Sequence, residues 1–221
     1  MIFHTKRVRY KRVVYSKAHW RRLSALRSEA RQILACLGRH GIEGVVIGSI
    51  ARGDVHEKSD VDVFVTGVFQ YYIVEEALLS CGFYIEYARI VKATPHSGVR
   101  LVYSLGARRF INIPVTIEKR EEEEFIKYAG YLTVSDIEKN VRKPGINKKL
   151  VLIIPTKRGH EEHNIWGIEA EAARLLGISL STIEERINAR RRRFSKGRSG
   201  LFIDLTVRPE EVAYFLDRLT R

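Results

Sequence analysis

The stretch from Gly48 to Val65 reads GSIARGDVHEKSDVDVFV, and it decides how the rest of the chain is interpreted. Asp60 and Asp62 are two residues apart within a run of strand-forming residues. Their side chains therefore leave the same face of a strand, with Cα atoms ~6–7 Å apart. Two carboxylates directed into one space repel each other unless a cation lies between them. Such hard oxygen ligands suit Mg²⁺ or Mn²⁺, so the pattern predicts a divalent-metal site that also binds substrate phosphates.

The residues upstream of the aspartates predict a phosphate-binding turn. Gly48 allows the backbone to approach a phosphate closely, and Ser49 adds a hydroxyl group and an N–H donor. Arg52 and Gly53 follow, and a guanidinium near a triphosphate can neutralise charge during transfer. Ser59 can fix the loop that presents the aspartates. Taken singly, a Gly-Ser turn is mostly just a turn and an Asp-x-Asp pair a solvated strand face, but the apolar neighbours disfavour solvation here.

Taken together, these residues resemble the signature of the DNA polymerase β-like nucleotidyltransferase superfamily, which is G-S-x-A-R-G, a short loop, and then S-D-x-D. The resemblance is closest to the minimal branch of that superfamily and covers residues 20–92, extending toward 118. It implies an α/β (α+β) core with a mixed sheet and flanking helices, two metal-binding aspartates, and transfer of a nucleoside monophosphate from an NTP with release of pyrophosphate. The matching residues are Gly48, Ser49, Ala51, Arg52, Gly53, Ser59, Asp60 and Asp62.

Members of this superfamily usually carry a third carboxylate on a later strand, where it acts as general base and metal ligand. Glu86, four residues after Gly82 in the predicted strand GFYIEYARI, is the residue that we expect to complete the triad. The other candidate strand, RRFINIPVTI, offers only Asn112 where an acid would stand. Without an ionised acid at either place, the site would be degenerate and would bind nucleotide weakly or fail to turn over.

Hydrophobic periodicity predicts an α/β core followed by a smaller α+β module. The predicted elements are a helix over 18–37, strands over 43–47 and 61–65, a helix over 73–80, a strand over 83–91, and a hairpin of 99–105 with 110–117. The tract Lys143-Pro144-Gly145 is the strongest linker signal. The expected divisions are a basic N-terminal arm (1–22), the nucleotidyltransferase core (23–118), a helical connector (119–149) and the C-terminal module (150–221).

The C-terminal module contains a stretch with helix-turn-helix spacing, EAARLLGISLSTIEERI. The small, turn and aliphatic positions of that motif are met by Ala173, Gly177 and Ile183. Ser181 would cap the second helix, and residues 198–200 before an apolar strand would form a wing. The side chains expected to face a groove are Ser181, Thr182, Glu185 and Arg186. A packing unit without nucleic-acid contacts is the alternative.

Charge is concentrated in two segments of the chain. The 221 residues include 39 Lys and Arg against 26 Asp and Glu, a net charge of +13. Residues 1–22 carry eight basic residues and no acid, and residues 186–198 carry seven and no acid. The basic residues of the second segment are Arg186, Arg190, Arg191, Arg192, Arg193, Lys196 and Arg198. Two basic segments on a neutral body fit contact with a phosphate backbone, although solvated faces or a heat-adapted surface would look the same.

Several classes of protein are disfavoured by composition. A hydrophobic content of 45% is enough for a core, and no apolar run approaches the ~18–20 residues that cross a bilayer. The N-terminal residues lack the apolar stretch of a signal peptide, so a cytoplasmic location without membrane contact is expected. Cys36 and Cys81 are too few for a disulfide framework or a cysteine-rich zinc site. The tract His160-Glu161-Glu162-His163 fails the H-E-x-x-H spacing and is interpreted as the surface of a helix start, with Trp166 as a core residue.

Three functions remain compatible with the sequence. The first is a Mg²⁺-dependent nucleotidyltransferase that moves a nucleoside monophosphate from an NTP such as ATP to a hydroxyl group of a nucleic acid or a protein, with Glu86 as the base. The second is a nucleic-acid-binding regulator with a degenerate nucleotide site. The third is an antitoxin-like transferase that modifies a partner protein.

Overall fold

The strand that carries Asp62 lies within a seven-stranded mixed sheet in the computed structural model of the chain. The structure describes residues 10–67, 70–95, 97–117, 119–196 and 201–220. Its elements, in chain order, are β1 (Tyr10–Val14), α1 (Lys17–Arg39), β2 (Gly44–Ile47), α2 (Ser49–Arg52), β3 (Val61–Val65), α3 (Tyr71–Ser80), β4 (Tyr87–Lys92), β5 (Val99–Ser104), β6 (Arg109–Pro114), α4 (Lys119–Ala129), β7 (Tyr131–Leu132), α5 (Val134–Glu138), β8 (Gly145–Ile146), β9 (Val151–Thr156), β10 (Gly159–Asn164), α6 (Glu169–Leu176), α7 (Leu180–Lys196), β11 (Ile203–Val207), a 3₁₀ turn (Pro209–Glu211) and α8 (Val212–Thr220).

The larger sheet has the strand order β11-β4-β5-β6-β3-β2-β7. β3 and β6 are parallel, and every other neighbouring pair is antiparallel. One face is apolar because alternate residues such as Val61, Val63 and Val65 are buried under α1 and α3. The opposite face carries Asp62 and Asn112. The mixed α/β architecture predicted for the core is therefore confirmed, and its polar residues lie on the face opposite the main core, beside a small apolar cluster that includes Val45, Phe64 and Ile126.

Helix α1 shows why the apolar face is covered. Leu23, Ile33 and Leu37 recur at helical spacing and are buried in the main core, each contributing about 1.5–3 kcal/mol by leaving water. Ser16 begins the helix because its Oγ accepts a hydrogen bond from the His19 amide at 3.2 Å. A disulfide links Cys36 near the end of α1 to Cys81 after α3.

The smaller sheet has the order β1-β10-β9-β8 and packs against α6 and α7. Its core is formed by aliphatic side chains from the strands and both helices, including Ile146, Leu152, Ile165, Ala173 and Ile183. Gly177 ends α6 with φ 64° and ψ 43°, the left-handed conformation that favours glycine at a helix C-terminus. The helix-turn-helix spacing therefore corresponds to two helices packed around this turn.

Each sheet includes a strand from the opposite end of the chain, which the expected domain divisions did not include. β1, from the predicted N-terminal arm, pairs with β10 in the smaller sheet. β11, from the predicted C-terminal module, pairs with β4 in the larger sheet, and α8 packs beside it. The predicted wing, residues 198–200, lies outside the described residues, and the strand that follows it, β11, extends the core sheet. Strand partners this far apart in sequence leave no local signal, so periodicity alone could not assign them.

The tract predicted as a linker is packed. Pro144 and Gly145 run against the end of α4, and a Cβ on Gly145 would lie 2.6 Å from the Gly130 nitrogen. Lys143 forms an ion pair with Asp136 at 2.6 Å. Glycine is needed at position 145 because the backbone of α4 comes too close for a side chain. This explains a Lys-Pro-Gly tract whose composition otherwise indicates a flexible linker. In the described part of the chain, no helix is both long and apolar enough to span a membrane.

Candidate active site

The GSIARG segment consists of a tight turn at Gly48 after β2, the short helix α2, and Gly53 at its end. Gly48 has φ 82° and ψ −141°, a conformation that is essentially restricted to glycine. Its N–H donates to the Gly130 carbonyl at 3.0 Å. Ser49 Oγ donates to Ser59 Oγ at 3.3 Å, and Ser59 Oγ accepts from the His56 amide at 2.9 Å. Ser59 thus holds the loop before the aspartates, in the role that the sequence predicted for it.

The two aspartates lie together on the polar face of the sheet. Asp60 immediately precedes β3 and Asp62 is its second residue, and both are half-buried. Burial raises the pKa of the Asp62 carboxyl; Lys148 opposes this shift, and the nearby Asp60 carboxylate adds to it. Mutual repulsion between two carboxylates of this kind is what a bound divalent cation relieves. The donor set therefore fits Mg²⁺ or Mn²⁺, with Asp60 and Asp62 as the protein ligands.

Two cations from distant parts of the chain contact Asp60. Arg108 Nε lies 3.2 Å from Oδ1, and Lys148 Nζ lies 3.5 Å from Oδ2. Arg108 comes from the turn between β5 and β6, and Lys148 from the turn between β8 and β9. The sequence analysis missed both residues, because neither belongs to a recognisable motif and only the fold brings them to the site. Each adds positive charge where substrate phosphates are expected.

The turn that carries Arg108 has an unusual backbone. Gly106, Ala107 and Arg108 all have positive φ, at 73°, 47° and 63°. For the two residues that are not glycine this costs on the order of 1–2 kcal/mol each. The Arg108 carbonyl accepts a hydrogen bond from the Val61 amide at 2.8 Å, directly between the aspartates. The strained turn is therefore fastened to the segment that presents them, and it fixes the position of Arg108.

A second pair of cations lies further along the same face. The Arg100 guanidinium on β5 is 4.5 Å from the centroid of the Phe125 ring, and that of Arg186 on α7 is 5.1 Å from it. Burial, together with the nearby Arg186 charge, lowers the pKa of Arg100 to about 10, and the Asp62 carboxylate opposes this shift. Positive charge thus extends from Asp60 along the sheet toward α7, which suits a highly anionic substrate.

Asn112 occupies the place next to Asp62 where a third acid would stand. It lies on β6, the parallel neighbour of β3, and its side chain is directed to the same face. Its Nδ2 donates to the Val63 carbonyl at 3.2 Å, and its amide also lowers the pKa of Asp62 slightly, against the larger effect of burial. Neither β2 nor β6, the strands that flank β3, carries an Asp or Glu. The position is therefore polar but not ionisable.

Glu86 does not complete the triad, and that prediction is corrected by the strand order. β4 begins at Tyr87, so Glu86 precedes the strand, and β5 and β6 separate β4 from β3. Three strand spacings amount to about 14 Å. Glu86 instead accepts a hydrogen bond from Ser104 Oγ at 3.2 Å and packs against Gly106. It supports the β5–β6 turn rather than the aspartates.

Arg52 and Gly53 have structural roles in this fold, and their predicted contact with a triphosphate stays a prediction. Arg52 is 5% exposed and forms a bidentate ion pair with Asp54, with Nε–Oδ1 at 3.0 Å and Nη2–Oδ2 at 3.2 Å. Its Nη1 donates to the Ala129 carbonyl at 2.5 Å. Gly53 has φ 97°, and a Cβ there would lie 2.7 Å from Arg142 Cδ. The two residues tie α2 to α4 and to the smaller sheet.

The described part of the basic run lies on α7, where Thr182 and Arg186 of the predicted groove face contact α4 while Ser181 and Glu185 are exposed. Thr182 and Ser179 both donate to Glu124 on α4, and Arg186 stacks over Phe125. Ser179, rather than Ser181, caps the helix by accepting from the Thr182 amide at 3.3 Å. Groove readout through Thr182 and Arg186 would require these contacts to break, and the predicted nucleic-acid contact of this face stays a prediction. Further along, Arg190 Nη1 donates to the Lys148 carbonyl, so the basic helix runs alongside the aspartates.

The remaining basic residues divide into two groups. Arg191 and Arg192 are exposed on α7. Arg193 and Lys196 belong to the same helix, but their side chains lie outside the described part of the structure, and Arg198 lies outside the described residues. Their predicted contact with nucleic acid stays a prediction.

The histidine tract and Trp166 differ from their predicted environments. His160 and His163 are buried on β10, not on a helix surface. His160 Nδ1 lies 2.6 Å from the Tyr15 hydroxyl, and the His163 ring stacks on Tyr10. Trp166 is 48% exposed instead of belonging to the core.

Comparison with known proteins agrees with this geometry. A family model described as nucleotidyltransferase domain matches residues 27–157, which is more than half of the chain. The chain therefore belongs to the nucleotidyltransferase domain family. The matched region begins in α1, contains the Gly48 turn, both aspartates and Asn112, and ends after β9. No curated protein and no solved structure matches the chain.

Proposed function

We propose that this protein transfers a nucleoside monophosphate from an NTP to a hydroxyl group of a polyanionic acceptor, with a divalent cation held by Asp60 and Asp62. The observation that carries the proposal is the placement of these two carboxylates on one sheet face beside the Gly48–Ser49 turn, in a chain of this family. When bound, Mg²⁺ would supply charge neutralisation for the triphosphate. Asp60 and Asp62 are the residues that would hold it.

The surrounding residues support this reaction in separate ways. Gly48 and Ser49 offer a close backbone approach, an N–H donor and a hydroxyl group to the triphosphate. Arg108 and Lys148 face Asp60. If a metal ion bound Asp60, these two cations would be free to pair with phosphate oxygens of the substrate instead. Asn112 cannot accept a proton, so the attacking hydroxyl group must lose its proton to water or to one of the aspartates. We therefore expect slow turnover.

The reaction is tested by following the label of the NTP. Protein incubated with Mg²⁺ and an NTP labelled at the α-phosphate should pass label to an acceptor and release unlabelled pyrophosphate, whereas γ-labelled NTP should leave all label in pyrophosphate. Supplying RNA, DNA and cell protein separately identifies the acceptor class. Label on a protein acceptor would favour the antitoxin-like function, and label in none of the three acceptors with any of the four NTPs would contradict transfer.

A second candidate function is a regulator that binds nucleotide without turnover, and Asn112 is the observation that favours it. In that case the cations around Asp60 would serve only to bind a nucleotide, and the basic helix α7 would contact nucleic acid. Binding of an NTP together with a steep dependence on salt for polynucleotide binding, without label transfer, is the expected pattern.

Asn112→Asp distinguishes a slow enzyme from a regulator. If the chemistry lacks only a base and a third metal ligand, this substitution should raise the transfer rate at least tenfold, since general bases contribute about 10²–10⁴-fold. The rate is measured in saturating Mg²⁺, because the added carboxylate lies beside Asp62 and needs a cation. Glu86→Gln is the matched control and should change the rate by less than twofold. An unchanged rate in a folded Asn112→Asp variant would show that the missing acid does not limit the reaction.

A further inference from the structure

Trp166 is a large aromatic side chain that a defined turn holds at the surface. The turn joins β10 to α6, and its conformation is fixed by a hydrogen bond from the Trp166 amide to Asn164 Oδ1 at 3.1 Å. Gly167 follows with φ 85°, and its N–H donates to Glu169 Oε2 at 2.9 Å. About half of the Trp166 surface is exposed. Tryptophan is enriched at interfaces because it combines a large apolar ring with an N–H donor, so this turn presents a ring suited to a partner.

A line of basic residues joins this ring to the candidate active site. The Arg191 guanidinium lies 5.1 Å from the centroid of the Trp166 ring. The adjacent Arg190 donates to the Lys148 carbonyl, and Lys148 Nζ lies 3.5 Å from Asp60. The aromatic ring, the cations and the catalytic carboxylate therefore follow one another along one surface.

The two turns that form this surface are also fastened to each other directly. The Ile165 amide donates to the Leu150 carbonyl at 3.2 Å. This bond lies one residue from Trp166 and two residues from Lys148, so the positions of the ring and of the cation are coupled. We refer to Trp166, Arg191, Arg190 and Lys148 as the Trp166 surface.

The chemistry of the Trp166 surface selects one kind of partner. Single-stranded polynucleotides are bound by cations that follow the phosphates and by aromatic rings on which bases stack. A duplex would bring its phosphates to the arginines but would keep its bases away from the ring. An acidic peptide would pair with the same arginines and would make no particular use of an exposed indole.

We infer that the acceptor of this enzyme is a single-stranded polynucleotide, which lies across the Trp166 surface with one base stacked on the indole ring and its end directed toward Asp60. The inference deepens the proposed transferase function and rests on it for the role of the acceptor. Lys148 then has two contacts, since it faces Asp60 and also lies at the inner end of the strand-binding surface. Contact with the strand through Lys148 would draw its ammonium group away from the metal-binding carboxylate.

Binding of labelled strands tests this inference without requiring catalysis. Fluorescence anisotropy is measured with a fluorescein-labelled oligouridylate, the corresponding oligothymidylate, and a duplex of the same length, with polyglutamate as competitor. Both single strands should bind more tightly than the duplex, at least tenfold at 0.15 M salt. Trp166→Ala should weaken single-strand binding by about 5- to 150-fold, and Trp166→Phe by much less, because a ring remains. The matched control is Tyr84→Ala, which removes another exposed aromatic residue and should have no effect.

A second readout reports the stacking itself. The chain has two tryptophans, so Trp20→Phe leaves Trp166 as the only indole, and its emission should be quenched by single strands. Replacing Arg190 and Arg191 by Gln should reduce the slope of log affinity against log salt by about 0.7 per lost phosphate contact. Equal binding of the duplex, equal competition by polyglutamate, or an unchanged affinity in Trp166→Ala would each overturn the inference. Label transfer from α-labelled NTP by the unmodified protein is measured in parallel, so failure of the proposed transferase function is recognised separately from failure of strand binding.

Discussion

Asp62→Asn is expected to lower nucleotidyl transfer by ~10³-fold or more, while leaving the fold intact. Loss of a metal ligand removes several kcal/mol of charge stabilisation, and each 1.4 kcal/mol corresponds to about a tenfold change in rate. The substitution is nearly isosteric and removes a charge that burial already disfavours, since the pKa of Asp62 is raised by burial. The variant should therefore be at least as stable as the native protein in the absence of divalent cations. Initial rates with α-labelled NTP and thermal unfolding measure the two effects.

The response to Mg²⁺ provides the control for this prediction. Mg²⁺ with NTP should raise the unfolding temperature of the native protein, because a ligand that binds only the folded state stabilises it. The increase should disappear in Asp62→Asn. Asp60→Asn should also lose activity but should differ in stability, because it leaves Arg108 and Lys148 facing a neutral amide. Full transfer activity in a folded Asp62→Asn variant would contradict the proposed metal role.

Local sequence was sufficient to predict the elements that carry the aspartates. The alternation of Asp60 and Asp62 with valines specifies a strand with one apolar face, and β3 has the predicted bounds. The glycine at 48 marks a backbone conformation that other residues avoid, so its place at the end of β2 was also predictable. These features depend on residues within about 20 positions of each other, which is the range over which patterns in a single sequence are informative.

The residues around the aspartates depend on strand order, and strand order leaves little trace in local sequence. Glu86 lies near a predicted strand end, and only the interposed β5 and β6 exclude it from the site. Asn112 was the better candidate for the position of the third acid. The sequence signal for it was a polar residue inside the apolar strand RFINIP. Arg108 and Lys148 come from two turns that meet only after both sheets form.

The basic residues are concentrated in two segments of the sequence, and the fold shows where those segments lie. The basic run does not extend from the protein as an independent arm, since α7 packs on α4 and its arginines line one side of the site. Part of the N-terminal basic segment lies in β1 and α1, where Arg12 pairs with Glu161. The positive charge that remains near Asp60 comes from Arg108, Lys148 and α7. The positive charge at the site is therefore a property of the assembled fold.

Arg52 illustrates how a motif residue can be required for a reason other than chemistry. Its guanidinium has three polar contacts, two to Asp54 and one to the Ala129 carbonyl at the C-terminal end of α4. The side chains of Arg52 and Asp54 are only 6% and 12% exposed. A cation at a helix C-terminus is favourable, but a buried guanidinium also needs its carboxylate partner. The pair holds the Gly48 turn against α4 and thereby fixes the backbone of the proposed phosphate-binding turn.

Asp54→Asn is expected to destabilise the protein by about 3–5 kcal/mol, because it leaves the Arg52 charge buried with only a carbonyl partner. The midpoint and slope of urea unfolding measure the loss. Adding Arg52→Met to Asp54→Asn should recover part of the stability, since the double variant has no uncompensated charge. Arg12→Gln, which breaks the exposed pair with Glu161, is the matched control and should leave the urea midpoint unchanged. If Asp54→Asn kept native stability but weakened NTP binding, Arg52 would have the triphosphate role that its burial argues against.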